Sequence, residues 1–415
     1  MSVSDDKLRI ALLSYRSKPT CGGQGVYLRH LSRELVALGH HVEVFSGQPY
    51  PELDEGVLLT KVPSLDLYRD EDPFRTPKLA EYRDWIDWLE VGTMWTAGFP
   101  EPLTFTLRAY RELKKRVGDF DVVQDNQTLG YGLLGIQKLF PVVGTIHHPI
   151  SVDRRIELEA AQGWKKLTMR RWYGFVKMQA KVAPKLSPIL TVSESSLADI
   201  HRDFNVPQAN MRLIPLGVDT RYFHPRPHLP KRPGSIVAVA SADSPMKGVA
   251  TLLRAVAKLA TERDVNLTVV SKPTPGGPTE KLVQELSLSD RVRFVHGISD
   301  TELGELIATS EISVVPSLYE GFSLPAVEHM ACGTPLVASR TGALPEVVGD
   351  AAVQVAPGDA EELAAVLRRL HDSPEERAAV GQKGYDRVME RYTWNVVAKR
   401  TVEAHREAIA AWKRP

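Results

Sequence analysis

Two cysteines, Cys21 and Cys332, are all that 415 residues contain. They show no metal-ligand spacing and cannot build a disulfide framework, which suits a reducing compartment. Long apolar runs are missing as well. No stretch approaches the roughly 18 residues needed to cross a bilayer. The N-terminal MSVSDDKLRIALLSY passes from polar residues into an apolar run too short and too poorly flanked for a signal peptide. Neither sign of charge dominates: 52 Lys and Arg against 51 Asp and Glu leave +1, which argues against a bulk nucleic-acid binder. Short-period repeats and low-complexity tracts are absent too. The expectation is a cytoplasmic protein with no nucleic-acid partner, any membrane contact being peripheral, at the inner face.

What is present is enough apolar sequence, 43% of residues, for more than one core. Short apolar runs alternate with helical patterns, which marks an α/β fold built from parallel βαβ units. The first half offers RIALLSY, HVEVFS, VLLTKV, DVVQ, VVGTIH, ILTVS and RLIPLG as strands. The second half offers SIVAVAS, NLTVVS, RVRFVHG, ISVVPS, PLVAS and AVQV. Each set suffices for a doubly wound, Rossmann-like sheet. Between them lies DTRYFHPRPHLPKRPGS, whose proline and charge mark an exposed connection. The expected domains are residues 1–228 and 229–392, with an amphipathic helix over 393–415 returning to the first. Two such sheets facing each other across a cleft would bind ligand beyond the carboxyl ends of their strands.

The strand ends carry the polar residues. After the first strand, Gly22, Gly23 and Gly25 form a turn into a helix, where backbone N–H groups can approach an anion. The spacing is not G-x-G-x-x-G, and a loop that merely turns strand into helix is the competing reading. Asp125-Asn126-Gln127 and His147-His148-Pro149 follow two further strands. A histidine there can donate to a sugar hydroxyl or to developing charge; a packed structural residue is the alternative. In the second half, SPMKG places Lys247 between a strand and a helix, where a cation is unfavourable unless an anion sits beside it.

The stretch YEGFSLPAVEHMACG, residues 319–333, follows the strand ISVVPS and opens a helix with proline in its first turn. Gly321, Phe322, Ser323 and Leu324 then form a loop whose free N–H groups can cradle phosphate. Glu320 and Glu328 flank it. On one helix they would lie roughly 12 Å apart, beyond the roughly 5–9.5 Å of a hydrolytic carboxylate pair. Accepting hydrogen bonds from hydroxyls at the two ends of a nucleotide sugar is the better use for them. A first-turn glutamate and an unrelated loop glutamate are the bland alternative.

The spacing E-x7-E, written EGFSLPAVE, resembles the signature of retaining family 4 glycosyltransferases of the GT-B architecture. RLIPLGVDTRYFHP, GGQGVY, ILTVSESS and TGALPEVVG resemble that family in the same order along nearly the whole chain. The resemblance implies transfer of a hexose from a UDP- or GDP-sugar to an acceptor hydroxyl, with no cofactor and no metal. It implies that Glu328 binds the donor ribose and Glu320 the transferred sugar. Gly321, Phe322, Ser323 and Leu324 offer backbone, Lys247 neutralises the phosphates and His147 stands beside the sugar. Gly22 and Gly23 approach the diphosphate, and His296 contacts the base. Asp125 and Asn126 are weaker acceptor-side candidates. One departure stands out: the family's arginine five or six residues before the lysine is replaced by Ser241 or Ala242.

Other features stay open at this level. Asp70-Glu71-Asp72 spells D-x-D but reads as a solvated loop rather than a metal site. Trp85, Trp88 and Trp95, in the excursion over residues 64–102, could stack on sugars but are expected instead to pack that excursion onto the first domain. Residues 165–185 hold seven Lys and Arg and no acid, interleaved with Trp172, Phe175 and Val176. They suit an anionic membrane, a phosphorylated acceptor or a solvated basic face. The acceptor, a glycolipid, polysaccharide or small phosphorylated molecule, is not identified. A nucleotide-sugar epimerase and a non-catalytic nucleotide-sugar binder are the rival functions.

Overall fold

The computed structural model of the chain describes residues 7–18 and 23–413. Among the described residues thirteen strands form two parallel sheets, each a separate body. The first sheet holds β1 (Arg9–Ser14), β2 (His41–Ser46), β3 (Leu58–Lys61), β4 (Val122–Asn126), β5 (Val142–Ile146), β6 (Ile189–Thr191) and β7 (Met211–Leu213). The second holds β8 (Arg232–Val239), β9 (Asn266–Val270), β10 (Val292–Val295), β11 (Ser310–Val315), β12 (Leu336–Ser339) and β13 (Val353–Val355). These are the apolar runs read from the sequence. Central strands such as β4 and β5 are buried at every residue, as parallel strands covered on both faces require.

The spatial orders are β3-β2-β1-β4-β5-β6-β7 and β10-β9-β8-β11-β12-β13. Both run outward from the first strand and then reverse, so each sheet has a switch point, at β1/β4 and at β8/β11. That is where the chain leaves room for a ligand in a doubly wound sheet. Each body has its own core: Leu13, Phe45, Val123, Phe140, Ile189 and Phe204 in the first; Ile236, Leu252, Val269, Val314 and Leu367 in the second.

The first body comprises the chain up to Val192, Ser196–Ile214 and everything from Val397 on. The second comprises Ser193–Ser195 and Pro215–Val396. Residues 215–228 thus group with the second body, whereas composition places the boundary near residue 228. Proline and charge mark them as exposed, yet Phe223 is buried and Arg226 donates to Thr301 O (3.4 Å). The last helix, Trp394–Ala411, joins the first body from Val397 on. There His405 Nε2 meets Gln124 Oε1 at 2.8 Å, and Arg212 pairs with Glu407.

The excursion is tied down by charge and by a small cluster, not by its tryptophans. Leu65, Leu67, Tyr68, Val91 and Met94 pack together, and buried Arg108 bridges Asp87 and Glu90. Trp85, Trp88 and Trp95 are all more than half exposed, which corrects the packing role expected for them. The inward positions of their helix, Trp85–Trp95, belong instead to Ile86, Asp87, Glu90, Val91 and Met94. The basic stretch forms the helices Gly163–Trp172 and Phe175–Val182, with Trp164 and Leu167 exposed and Val176 buried. No helix among the described residues is long and apolar enough to cross a membrane.

Candidate active site

In the second body the residues singled out from sequence gather at the switch point. β8 leads into a short turn of 3-10 helix, Pro245–Lys247, and then the helix Val249–Leu259. Gly248 joins them at φ +66, and a Cβ there would lie 1.9 Å from Pro316 O. Only glycine permits this approach. It presses the loop after β8 against the end of β11, where Leu318 N donates to Met246 O at 2.7 Å.

This contact brings Lys247 to Glu320. The lysine Nζ stands 2.8 Å from Glu320 Oε1, the same oxygen that accepts from Ser317 Oγ at 2.7 Å. Sequence reasoning gave Lys247 and Glu320 separate tasks and missed both their pairing and Ser317. Glu320 is nearly buried, and its backbone is clamped by Ala343 N donating to Glu320 O at 2.9 Å. Gly342, at φ +53, allows that approach, since a Cβ would fall 2.3 Å from Glu320 O. An ion pair in so sheltered a place is strongly directional, and removing one partner leaves the other uncompensated.

The loop then enters the helix Leu324–Ala331. Ser323 is its N-cap at φ +88, a strained value for a residue with a Cβ, and its buried Oγ has no hydrogen-bond partner. Phe322 is buried, its ring edge-on to Tyr392 at 5.9 Å, so it has only backbone to offer. The first-turn amides have no acceptor within the helix, and their dipoles favour an anion. Glu328 lies on the same helix, half-buried. Desolvation, with Asp300 adding repulsion, pushes its carboxyl up to about 7. His296 is exposed just beyond β10, at the edge of the sheet.

The carboxyl edge of the first body is built differently. His147, just beyond β5, places Nε2 2.7 Å from Asn126 Oδ1, at the end of β4. Asn126 Nδ2 in turn donates to Gln24 O (3.2 Å), which turns its carbonyl oxygen toward the histidine. His147 Nε2 therefore carries the proton, and Nδ1, buried and without a partner, is an acceptor. Burial holds the imidazole down at about 4, so it is neutral near pH 7. Its ring packs edge-on to Tyr27 at 4.4 Å. In this arrangement the one N–H of His147 is engaged by Asn126 and its open position is the Nδ1 lone pair. The expectation for Asp125 is corrected. It is fully buried, and it accepts from the backbone of Thr128 and Leu129 and from the Thr128 hydroxyl, so it caps its own loop and presents nothing to an acceptor. Gly23 opens the helix Gly23–Ala37, while Gly22 lies outside the described residues.

Among the described residues no group of three His, Cys, Asp or Glu is placed to hold a metal. Asp70, from the D-x-D, pairs with Lys18 at 2.7 Å.

The sequence model of the family described as Glycosyltransferase Family 4 matches residues 21–222, and that of Glycosyl transferases group 1 matches residues 222–387. The chain is 59% identical to an MMP alpha-(1->4)-mannosyltransferase of Mycolicibacterium hassiacum, over 97% of this chain and 99% of that one. It is 27% identical to a D-inositol 3-phosphate glycosyltransferase of Saccharomonospora viridis, over 98% and 95% of the two chains. Among solved structures, the sucrose-phosphate synthase of Thermosynechococcus elongatus superposes with a TM-score of 0.69 at 24% identity, covering 98% of this chain and all of that one. The fold is GT-B.

Proposed function

The chain belongs to glycosyltransferase family 4, and we propose that it is a retaining mannosyltransferase using a nucleotide diphosphate sugar as donor. Mannose and an α-(1→4) linkage follow the 59% identical relative; uridine and guanosine diphosphate remain equal candidates for the leaving group. The observation that carries the donor site is the Lys247–Glu320 pair at 2.8 Å, held beside the N-terminus of the helix Leu324–Ala331. A cation, free amides and a carboxylate converge where a doubly wound sheet binds its ligand.

The donor diphosphate occupies the amides of Gly321–Leu324 and draws Lys247 away from Glu320. Glu320, still held by Ser317, then accepts from hydroxyls of the sugar. Glu328 accepts from the ribose diol, and His296 lies toward the base. The bond from the anomeric carbon to phosphate breaks, and its electron pair leaves with the diphosphate. The acceptor oxygen bonds to the anomeric carbon on the same face, and its proton passes to the departing phosphate. Preorganised positive charge on the leaving group is the main source of acceleration.

A departing nucleoside diphosphate carries more charge than Lys247 offsets, and Ser241 and Ala242 supply none. In the loops that follow the six strands of the second sheet, the lysines and arginines are Lys247, Lys272 and Arg340. Arg340 lies 3.9 Å from Glu362 and donates to Gln354 O. Lys272 is exposed at the end of β9 and has no carboxylate partner among the described residues. The β8/β9 register pairs Val239 with Val270; carried two residues further, it sets Lys272 across from Ser241. Ala242 N donates to Ser271 Oγ (2.9 Å) and Thr274 N to Asp243 Oδ2 (2.6 Å), so the Ser271 hydroxyl on one side of Lys272 and the Thr274 backbone on the other are tied to that loop. Lys272 is the second cation of the donor site in this reading.

The reaction is metal-independent and cytoplasmic in this account. The exposed Trp164 and Leu167 on the basic helix Gly163–Trp172 suit a peripheral contact with anionic membrane. Incubation with a panel of nucleotide sugars tests the activity. Release of nucleoside diphosphate that an acceptor accelerates means transfer. Interconversion of the sugars means an epimerase, and binding without turnover means a sensor.

A further inference from the structure

In the first body the helices Ile150–Ala160, Gly163–Trp172 and Phe175–Val182 enclose, with the end of Glu194–Phe204, a recess of about 520 Å³. Its walls carry five cations and two carboxylates, an excess of three positive charges. One of the carboxylates is already spent. Asp203 accepts from Ser151 Oγ at 2.6 Å and pairs with Arg155 at 3.0 Å and Arg202 at 2.7 Å, which fixes that wall. The other four cations, Arg154, Lys166, Arg170 and Lys177, have no carboxylate partner among the described residues. Lys177 also lies in the first turn of its helix, where the dipole disfavours a cation. Unpaired cations from three helices therefore line one cavity, an arrangement of mutual repulsion that an anion relieves.

The shape of the site narrows the anion. Each residue turns a helix by about 100°, so Lys166 and Arg170 share one stripe of Gly163–Trp172. Trp164, Leu167 and Arg171 share another, roughly a third of a turn away. Arg171 there donates to Thr96 O at 3.1 Å. The exposed apolar side chains that would enter a bilayer thus stand off the recess, on a different face of the helix. Inside the recess Val176 is buried and Ala180 half-buried, so they form floor rather than rim. A volume of this order suits a small molecule, not a folded partner. The remaining carboxylate, Glu159, lines the same cavity and has no partner among the described residues. It repels a bare anion but accepts hydrogen bonds from hydroxyls.

We propose that this recess binds a phosphorylated polyol, with the phosphate among Arg154, Lys166, Arg170 and Lys177 and the hydroxyls toward Glu159. A phosphate monoester carries about two negative charges at pH 7, enough to answer the excess on the walls. Guanidinium groups meet its oxygens in pairs and the lysines add point charge. A free sugar phosphate and a lipid headgroup of the same kind share this chemistry. The inference stands apart from the transferase reading, because no residue of the recess belongs to the donor site around Lys247 and Glu320.

Calorimetry on the full-length protein, with glucose 6-phosphate, glucose and inorganic phosphate as probes, tests the site. Glucose 6-phosphate is expected to bind, inorganic phosphate about tenfold more weakly and glucose not at all. Arg170→Gln and Lys177→Gln should each weaken glucose 6-phosphate about tenfold, with the melting temperature held. Lys247→Ala should leave it unchanged, which separates the recess from the donor site. Glu159→Gln should tighten inorganic phosphate and narrow its gap to glucose 6-phosphate. Phosphatidylcholine vesicles carrying phosphatidylinositol 4-phosphate or phosphatidylglycerol distinguish the sources. Co-sedimentation with the first alone, displaced by glucose 6-phosphate, supports the proposal with a headgroup as ligand. Binding of glucose 6-phosphate without co-sedimentation supports it with a soluble ligand. Glucose 6-phosphate that does not bind, or that binds equally to both cation variants, overturns the proposal. So does binding lost in Lys247→Ala alone, or co-sedimentation that follows total vesicle charge whatever the headgroup.

Discussion

The two switch points of this molecule share a topology and differ in chemistry. In the second body the edge at β8/β11 is ionic: Lys247 meets Glu320 beside a helix N-terminus, and Lys272 stands exposed one strand away. In the first body the edge at β1/β4, with β5 beside it, is neutral: Gln24, Asn126 and His147 form a hydrogen-bonded chain that ends on a bare imidazole lone pair. An edge with mobile counter-ions suits a ligand whose charge changes during reaction. An edge of fixed dipoles suits a polyol that must be oriented. The same fold serves both because the strands set only where the loops begin.

The comparison is broken most severely by removing the ionic pair. Lys247→Ala and Glu320→Gln should each lower turnover about a hundredfold to a thousandfold, read as sugar transfer at saturating donor. Activity near wild type in both would remove the ionic edge from the mechanism. Next in size is Lys272→Gln, expected to raise the donor KM about tenfold to a hundredfold, the worth of one charge-assisted hydrogen bond. Ser241→Arg, placed across from it, should restore most of that loss. A donor KM that ignores Lys272 while answering to Lys247 would leave the donor site with one cation.

The neutral edge should respond more mildly. Asn126→Ala releases the histidine tautomer and should cost about tenfold in turnover, with Asn126→Asp recovering little, since it introduces a charge where burial disfavours one. Smallest is the effect on stability of the Glu328 carboxyl. Glu328 is held near 7 in the fold against an ordinary 4.5, so its ionisation opposes folding. That stability is fully present below about 4.5 and is lost as pH rises through about 7. Glu328→Gln should therefore stabilise the protein by of order 1 kcal/mol at pH 8 while weakening the donor. It should also abolish the rise in donor KM expected in wild type below about pH 7, where the carboxyl protonates. Thermal melts and donor KM values at pH 5 and pH 8 check both.

The sheets were legible because parallel strands buried on both faces leave continuous apolar runs, and all thirteen appear in the sequence. The loop Glu320–Leu324 was legible because strand, glycine and first-turn proline mark the start of a helix. Contacts across long separations were not. Nothing in SPMKG says that Lys247 will reach a glutamate 73 residues on, because Gly248 acts only through its approach to Pro316 O. Asp125 and Asn126 are neighbours in a polar run, yet one turns inward to cap its loop and the other orients a histidine. The tryptophan stripe misled for a related reason: three large apolar residues suggest a core, but the inward positions of that helix were filled by Ile86, Val91 and a buried salt-bridge network.

The central claim is that the ionic edge grips a diphosphate by exchanging one partner of Lys247 for another. A crystal of the protein soaked with its nucleotide sugar measures this directly. The account predicts the pyrophosphate on the amides of Gly321–Leu324, with Lys247 Nζ turned from Glu320 onto a phosphate oxygen. A pyrophosphate bound elsewhere, with the Lys247–Glu320 contact intact at 2.8 Å, would contradict it.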